Sequence, residues 1–85
     1  MSKARTPDER YIVYLYQTAK ALGDWETPQD RYEVGKAVGI SIRGVNAIST
    51  LLAQSNFIKK VHKDDDIMIH ITERGIALAE RILEN

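Results

Sequence analysis

Between Ser41 and Ser55, Arg43, Asn46, Ala47, Thr50 and Gln54 recur three or four residues apart, so a helix over this stretch gathers them on one side. Val45, Ile48, Leu51, Leu52 and Ser55 gather on the other side. The first face is short-chained, polar and free of carboxylates. Its chemistry is hydrogen bonding: a guanidinium fork, a carboxamide that both donates and accepts, a hydroxyl that does either, and a methyl group. Such a set recognises a polar surface without making or breaking covalent bonds. An ordinary solvated helix face has a similar composition, so the residues alone leave both readings open.

Catalytic chemistry has little to draw on. His62 and His70 are the only histidines, each on a strand-like segment, and their spacing does not suggest a zinc site. The chain has no cysteine, which rules out disulfides and thiolate metal ligands. No glycine-rich phosphate loop and no nucleophile motif is present. Asp64, Asp65 and Asp66 lack the alternate spacing of a calcium loop and read as a solvated turn. The expectation is a protein that is not an enzyme and needs no cofactor and no metal.

The bulk numbers set the frame. Eighty-five residues with 44% hydrophobic and 28% charged side chains fit one globular domain over 1–85, residues 1–5 being expected as a flexible arm. A chain this short buries roughly 60–65% of its unfolded surface, enough to fold alone but little more. No apolar run approaches the ~18 residues of a membrane span, and no basic leader precedes an apolar stretch. A cytoplasmic location without membrane association is the expectation. Twelve basic residues balance twelve acidic ones, and the pI is about 6.7. Dedicated nucleic-acid binders often exceed a pI of ~9, so attraction to a polyanion would require basic and acidic groups on separate faces.

The elements that must position these residues can be read in order. Thr6-Pro7-Asp8-Glu9 supplies a capping hydroxyl, a proline at the first helical position and a carboxylate that can reach back to the cap. Ile12, Leu15, Tyr16, Ala19 and Leu22 then form an apolar stripe, and Gly23 is the stop. Tyr11, Tyr14, Thr18 and Ala21 add a second, less polar face, which suggests a further packing partner. Trp25-Glu26 suits a short extended piece. Thr27-Pro28 repeats the cap-and-proline signal, predicting a second helix from Pro28 to Val38 with Tyr32, Val34, Ala37 and Val38 inward and Gly39 at its end. Ser41 caps the third helix.

Asn56 tolerates the left-handed backbone that ends helices. Phe57 to His62 and Ile67 to Ile71 read as paired strands, with Ile67, Ile69 and Ile71 alternating with Met68 and His70. Lys63 to Asp66 connects them. Thr72-Glu73-Arg74-Gly75 opens a closing helix with Ile76, Ala79, Ile82 and Leu83 on one side. The fold class is mainly α with a small β-hairpin, in the order helix, short strand, helix, helix, strand, strand, helix.

That order, together with two local patterns, resembles the winged helix-turn-helix domains of small MarR-like and ArsR-like regulators. One pattern is the junction Val34-Gly35-Lys36-Ala37-Val38-Gly39-Ile40-Ser41. The other is Leu52, then Asn56-Phe57-Ile58, then Thr72-Glu73-Arg74-Gly75. The patterns cover about residues 30–76; the general likeness reaches the whole chain. Two departures stand out: Asn56 replaces a usual glycine, and the hairpin tip carries Asp64-Asp65-Asp66 where an arginine often enters the minor groove of DNA.

The resemblance implies sequence-specific binding of double-stranded DNA by a transcriptional regulator acting as a homodimer. It directs Arg43, Asn46, Ala47 and Thr50 to the bases of the major groove, suited respectively to guanine, adenine, the thymine methyl and an adaptable contact. Gln54 shares that face. Ser41 and the free amides beside it would hold a phosphate. Lys36, Lys59, Lys60 and Lys63 would neutralise phosphates, Arg31 more weakly, with Lys3 and Arg5 as a basic arm. Tyr11, Tyr14, Thr18, Ile82 and Leu83 would form the dimer interface. The alternative is a winged-helix module that docks a protein partner without DNA, which the neutral pI and acidic tip favour, and for which an exposed Tyr11/Tyr14 patch would be the mark. RNA is a distant third, since no stacking platform can be read.

Overall fold

Thr6 starts the first helix as its neighbours require. Its hydroxyl accepts from the Glu9 amide at 3.4 Å while Glu9 Oε1 accepts from the Thr6 amide at 2.9 Å, a reciprocal capping box followed by Pro7. The computed structural model describes residues 5–84. The elements are α1 (Pro7–Leu22), β1 (Gln29–Asp30), α2 (Arg31–Ala37), α3 (Ile42–Gln54), β2 (Ile58–Lys63), β3 (Asp66–Ile71) and α4 (Glu73–Glu84). Lys3 of the expected basic arm lies outside the described residues. Arg5 lies within them, and its carbonyl accepts from Arg10 Nη1 at 3.2 Å.

The order of elements agrees with the sequence reading, and two boundaries are corrected. Trp25 and Glu26 lie in a turn, where the Trp25 ring stacks on Tyr16 with centroids 5.3 Å apart. The short strand comes later, with Gln29 opposite Ile69 and Asp30 opposite Met68. Helix α2 therefore begins at Arg31 and not at Pro28. Asp30 is its cap, its carboxylate accepting from the amides of Tyr32 at 2.8 Å and Glu33 at 3.3 Å. Pairing with β3 keeps Gln29 and Asp30 extended, which outweighs the Thr27-Pro28 start signal.

The sheet has the order β1-β3-β2, all antiparallel, with β2 paired from Ile58↔Ile71 to Lys63↔Asp66. Asp64 and Asp65 form the tip. Ile69 and Ile71 turn into a core shared with Ile12, Leu15 and Ala19 of α1, Val34 of α2, Val45 and Leu52 of α3, Ile58 of β2 and Ala79 of α4. Burying each large aliphatic side chain contributes about 1.5–3 kcal/mol, so α1, which runs through the middle of this set, is the main organiser.

Packing departs from the periodicity in three places. On α3 the buried residues are Val45, Ser49 and Leu52, while Leu51 is 52% exposed. Ser49 is fully buried, and its hydroxyl turns back to the Asn46 carbonyl at 3.4 Å. On α2 only Val34 and Gly35 are buried, with Val38 half-buried and Tyr32 and Ala37 exposed. The helix is close to two turns long and presents a single narrow face inward. On α4, Ala79 and Gly75 are buried, Ile76 and Ile82 half-buried, and Leu83 is 38% exposed.

Candidate nucleic-acid interface

Helix α3 is held by its neighbours at both ends. Ser41 caps its start, accepting from the Gly44 amide at 3.2 Å. At its end Asn56 adopts φ 64°, and the Asn56 carbonyl accepts from the Thr72 hydroxyl at 2.6 Å, tying the helix exit to the start of α4. Along its flank, α2 comes so near that a Cβ on Gly35 would lie 2.1 Å from Val45 Cγ2. Only a residue without a side chain allows this approach, which fixes the angle between the two helices of the helix-turn-helix.

With Val45, Ser49 and Leu52 turned inward, Arg43, Asn46, Ala47, Thr50 and Gln54 are all exposed. At 100° per residue they occupy about a 100° arc opposite the buried stripe, forming one ridge along the helix. No acidic residue lies anywhere on α3. Asn46 is not free-standing: its Oδ1 accepts from the Tyr32 hydroxyl at 2.8 Å, a contact between helices that the sequence does not advertise. Beside Ala47, the side chains of Pro7, Asp8, Ile48 and Leu51 enclose a shallow, mainly apolar hollow of about 300 Å³.

The structure does not gather the cations around that ridge as one patch. In the β2–β3 ladder, residues directly opposite one another share a face. Lys60 stands opposite Ile69 and is half-buried on the core side, whereas Lys59 and Lys63 lie on the other face opposite His70 and Asp66. Lys59 lines a cleft of about 480 Å³ with Trp25, Glu26, His70 and Glu73. Lys36 is exposed and lines a groove with Asp30 and Glu33. Arg31 is half-buried, its guanidinium lies 4.7 Å from the Tyr32 ring centroid, and its Nε is buried without a hydrogen-bond partner.

The five residues expected at a dimer interface do not form one face. Tyr11 is corrected outright. Its side chain is wholly buried within the chain's own core, and its hydroxyl donates to the Arg31 carbonyl at 2.8 Å. Burial pushes the ionisation of that hydroxyl upward, so it remains a neutral donor. Tyr14 and Thr18 line the groove against α2 and β1, with the Thr18 hydroxyl engaged by the Tyr14 and Leu15 carbonyls and by Gln29. Helix α4 packs on a different flank of α1, where the Tyr16 hydroxyl donates to Glu80 at 3.0 Å. Tyr14 and Tyr16 are about 200° apart around α1, so Ile82 and Leu83 on α4 lie away from Tyr14 and Thr18.

Among the described residues no cluster of three histidine or acidic side chains is placed to hold a metal ion, and no helix is long and apolar enough to cross a membrane. No protein-family model matches the chain, and no curated protein matches its sequence. Solved structures do match its fold. SSV1 F-93 superposes with a TM-score of 0.72 at 20% identity, over 95% of this chain and 86% of that one. MepR, a transcription regulator of the Staphylococcus aureus multidrug efflux pump MepA, gives 0.75 at 17% identity over 96% of this chain and 57% of its own. ZitR of Lactococcus lactis, a zinc-responsive MarR family member, gives 0.71 at 16% identity over 98% of this chain and 54% of its own. The chain thus has the MarR-like winged-helix fold and spans little more than half the length of MepR and ZitR.

Proposed function

We propose that this winged-helix chain is a transcriptional regulator that binds double-stranded DNA in a sequence-specific manner, inserting α3 into the major groove. The observation that carries this reading is the ridge itself. Arg43, Asn46, Ala47, Thr50 and Gln54 are exposed together on a helix with no carboxylate, on a fold also found in MepR and ZitR. Arg43 suits a guanine edge, Ala47 a thymine methyl and Thr50 an adaptable hydroxyl contact. Ser41 and the first amides of α3 suit a phosphate. Lys36, Lys59 and Lys63 are exposed and supply the charge for phosphate contacts.

The chain acts as a homodimer in this proposal, with the end of α4, where Leu83 is exposed and Ile82 half-buried, as the starting surface. A two-fold pair spaces its recognition helices by about 34 Å and reads a pseudo-palindrome. Titration with duplex DNA tests the reading. Amide shifts are expected over residues 41–54, affinity is expected to fall steeply with salt, and Arg43→Ala is expected to weaken binding to a selected site about tenfold or more. Shifts confined to α1, or a response flat in salt, would overturn it.

The docking-module reading keeps the neutral pI and the acidic tip, and gains the mainly apolar hollow at Pro7, Asp8, Ala47, Ile48 and Leu51. The exposed Tyr11/Tyr14 patch that would have marked it does not exist, because Tyr11 is interior.

A further inference from the structure

Tyr32 occupies the first turn of α2, is 36% exposed, and is anchored at its amide and at its ring. The Asp30 carboxylate holds its amide at 2.8 Å. The Arg31 guanidinium lies over its ring, 4.7 Å from the centroid, and the Arg31 carbonyl is in turn held by the buried Tyr11 hydroxyl at 2.8 Å. From this fixed position the Tyr32 hydroxyl donates to Asn46 Oδ1 at 2.8 Å, at the edge of the α3 ridge that faces Tyr32.

An exposed asparagine side chain ordinarily turns freely and presents either its oxygen or its NH2 group. Here Oδ1 accepts from the Tyr32 hydroxyl toward α2, which fixes the amide's orientation, occupies one of the oxygen's two lone pairs and makes the Nδ2 hydrogens the principal groups offered to a ligand on the ridge. We propose that Tyr32 is a positioning residue that makes Asn46 a hydrogen-bond donor and so sets the base it selects. This inference rests on the DNA reading of α3. An asparagine that presents both atoms pairs with adenine through N7 and the N6 amino group. One that presents donors alone matches an edge made only of acceptors, which in the major groove is guanine N7 and O6. Tyr32 therefore turns the preference at the Asn46 position from adenine to guanine without touching the base itself.

Selection of binding sites from a randomised duplex library tests this with the full chain, Asn46→Ala and Tyr32→Phe. Asn46→Ala identifies the base position by erasing its preference. At that position the unaltered chain is expected to favour guanine, and Tyr32→Phe to lose about threefold to tenfold of that preference or to favour adenine, the worth of one orienting hydrogen bond. Other positions, affinity for random-sequence duplex and the salt slope stay unchanged. In the free protein, the Asn46 side-chain NH2 resonances are expected to move in Tyr32→Phe, which retains the ring under Arg31 and so the fold. The inference is overturned if Tyr32→Phe and the unaltered chain prefer guanine there to the same degree, if both select adenine, or if Asn46→Ala erases nothing. A chain that selects no sequence at all overturns the DNA reading as well, which separates the two failures.

Discussion

A Cβ added to Gly35 would lie 2.1 Å from Val45 Cγ2, closer than any two such atoms can stand. The two residues mark a close contact between α2 and α3. The ridge faces outward because this contact turns Val45, and with it Ser49 and Leu52, toward the core.

Gly35→Ala is therefore expected to destabilise the fold by about 1–3 kcal/mol, overpacking outweighing the gain in helix propensity. Urea unfolding measures the loss. Adding Val45→Ala removes the clashing methyl, so the double variant should recover part of what Gly35→Ala loses relative to Val45→Ala alone. Strictly additive losses would mean that the two positions do not meet.

Tyr11→Phe deletes the bond to the Arg31 carbonyl and is expected to cost about 1 kcal/mol in unfolding free energy near neutral pH. A pH series sharpens this. Burial raises the folded-state ionisation of Tyr11 above its ordinary value of 10.0, so its contribution is fully present below pH 10. Above that pH the unfolded chain loses the proton first and stability falls. Tyr11→Phe should show a shallower alkaline decline, and an identical decline would contradict the assignment.

Asn56 takes φ 64°, where a Cβ is strained and asparagine is among the better-tolerated residues. Asn56→Ala is expected to lower stability by about 1 kcal/mol, and Asn56→Gly to leave it within about 0.5 kcal/mol. The Thr72 bond is to the Asn56 main-chain carbonyl and survives both changes. Thermal or urea unfolding of the pair decides whether the left-handed exit is what constrains this position.

Replacing Asp64 and Asp65 together by asparagine removes two charges from the hairpin tip while keeping a residue type that accepts the φ of 54° at Asp64. If the tip approaches the phosphates, duplex affinity should rise a few-fold at low salt, and the gain should fade as salt screens it. Fluorescence anisotropy with random-sequence duplex at several ionic strengths measures both. A gain that persists in high salt would mean that the change acts through the fold.

The register of the hairpin separates the lysines that the sequence offers as phosphate contacts: strand geometry sends neighbours to opposite faces and places Lys60 beside Ile69. Their partners on β3 could be assigned only once the turn was known to be the two residues Asp64 and Asp65. Tyr11 was misleading. Its period matched an outer face of α1, but its ring is wholly buried and its hydroxyl is held by the Arg31 carbonyl.

The sequence by itself determined what short-range chemistry controls: the Thr6 and Ser41 caps, the left-handed exit at Asn56, the alternation of Ile67, Ile69 and Ile71, and the uncharged-to-cationic ridge from Arg43 to Gln54. Each follows from neighbours a few residues apart along the chain. Tertiary structure decided what depends on segments distant in sequence meeting: the start of α2 at Arg31, the inward turn of Ser49, the interior place of Tyr11 and the bond from Tyr32 to Asn46. Pairing of β1 with β3 and the approach of α2 to α3 are long-range contacts, and no local periodicity encodes which side chains they bring together.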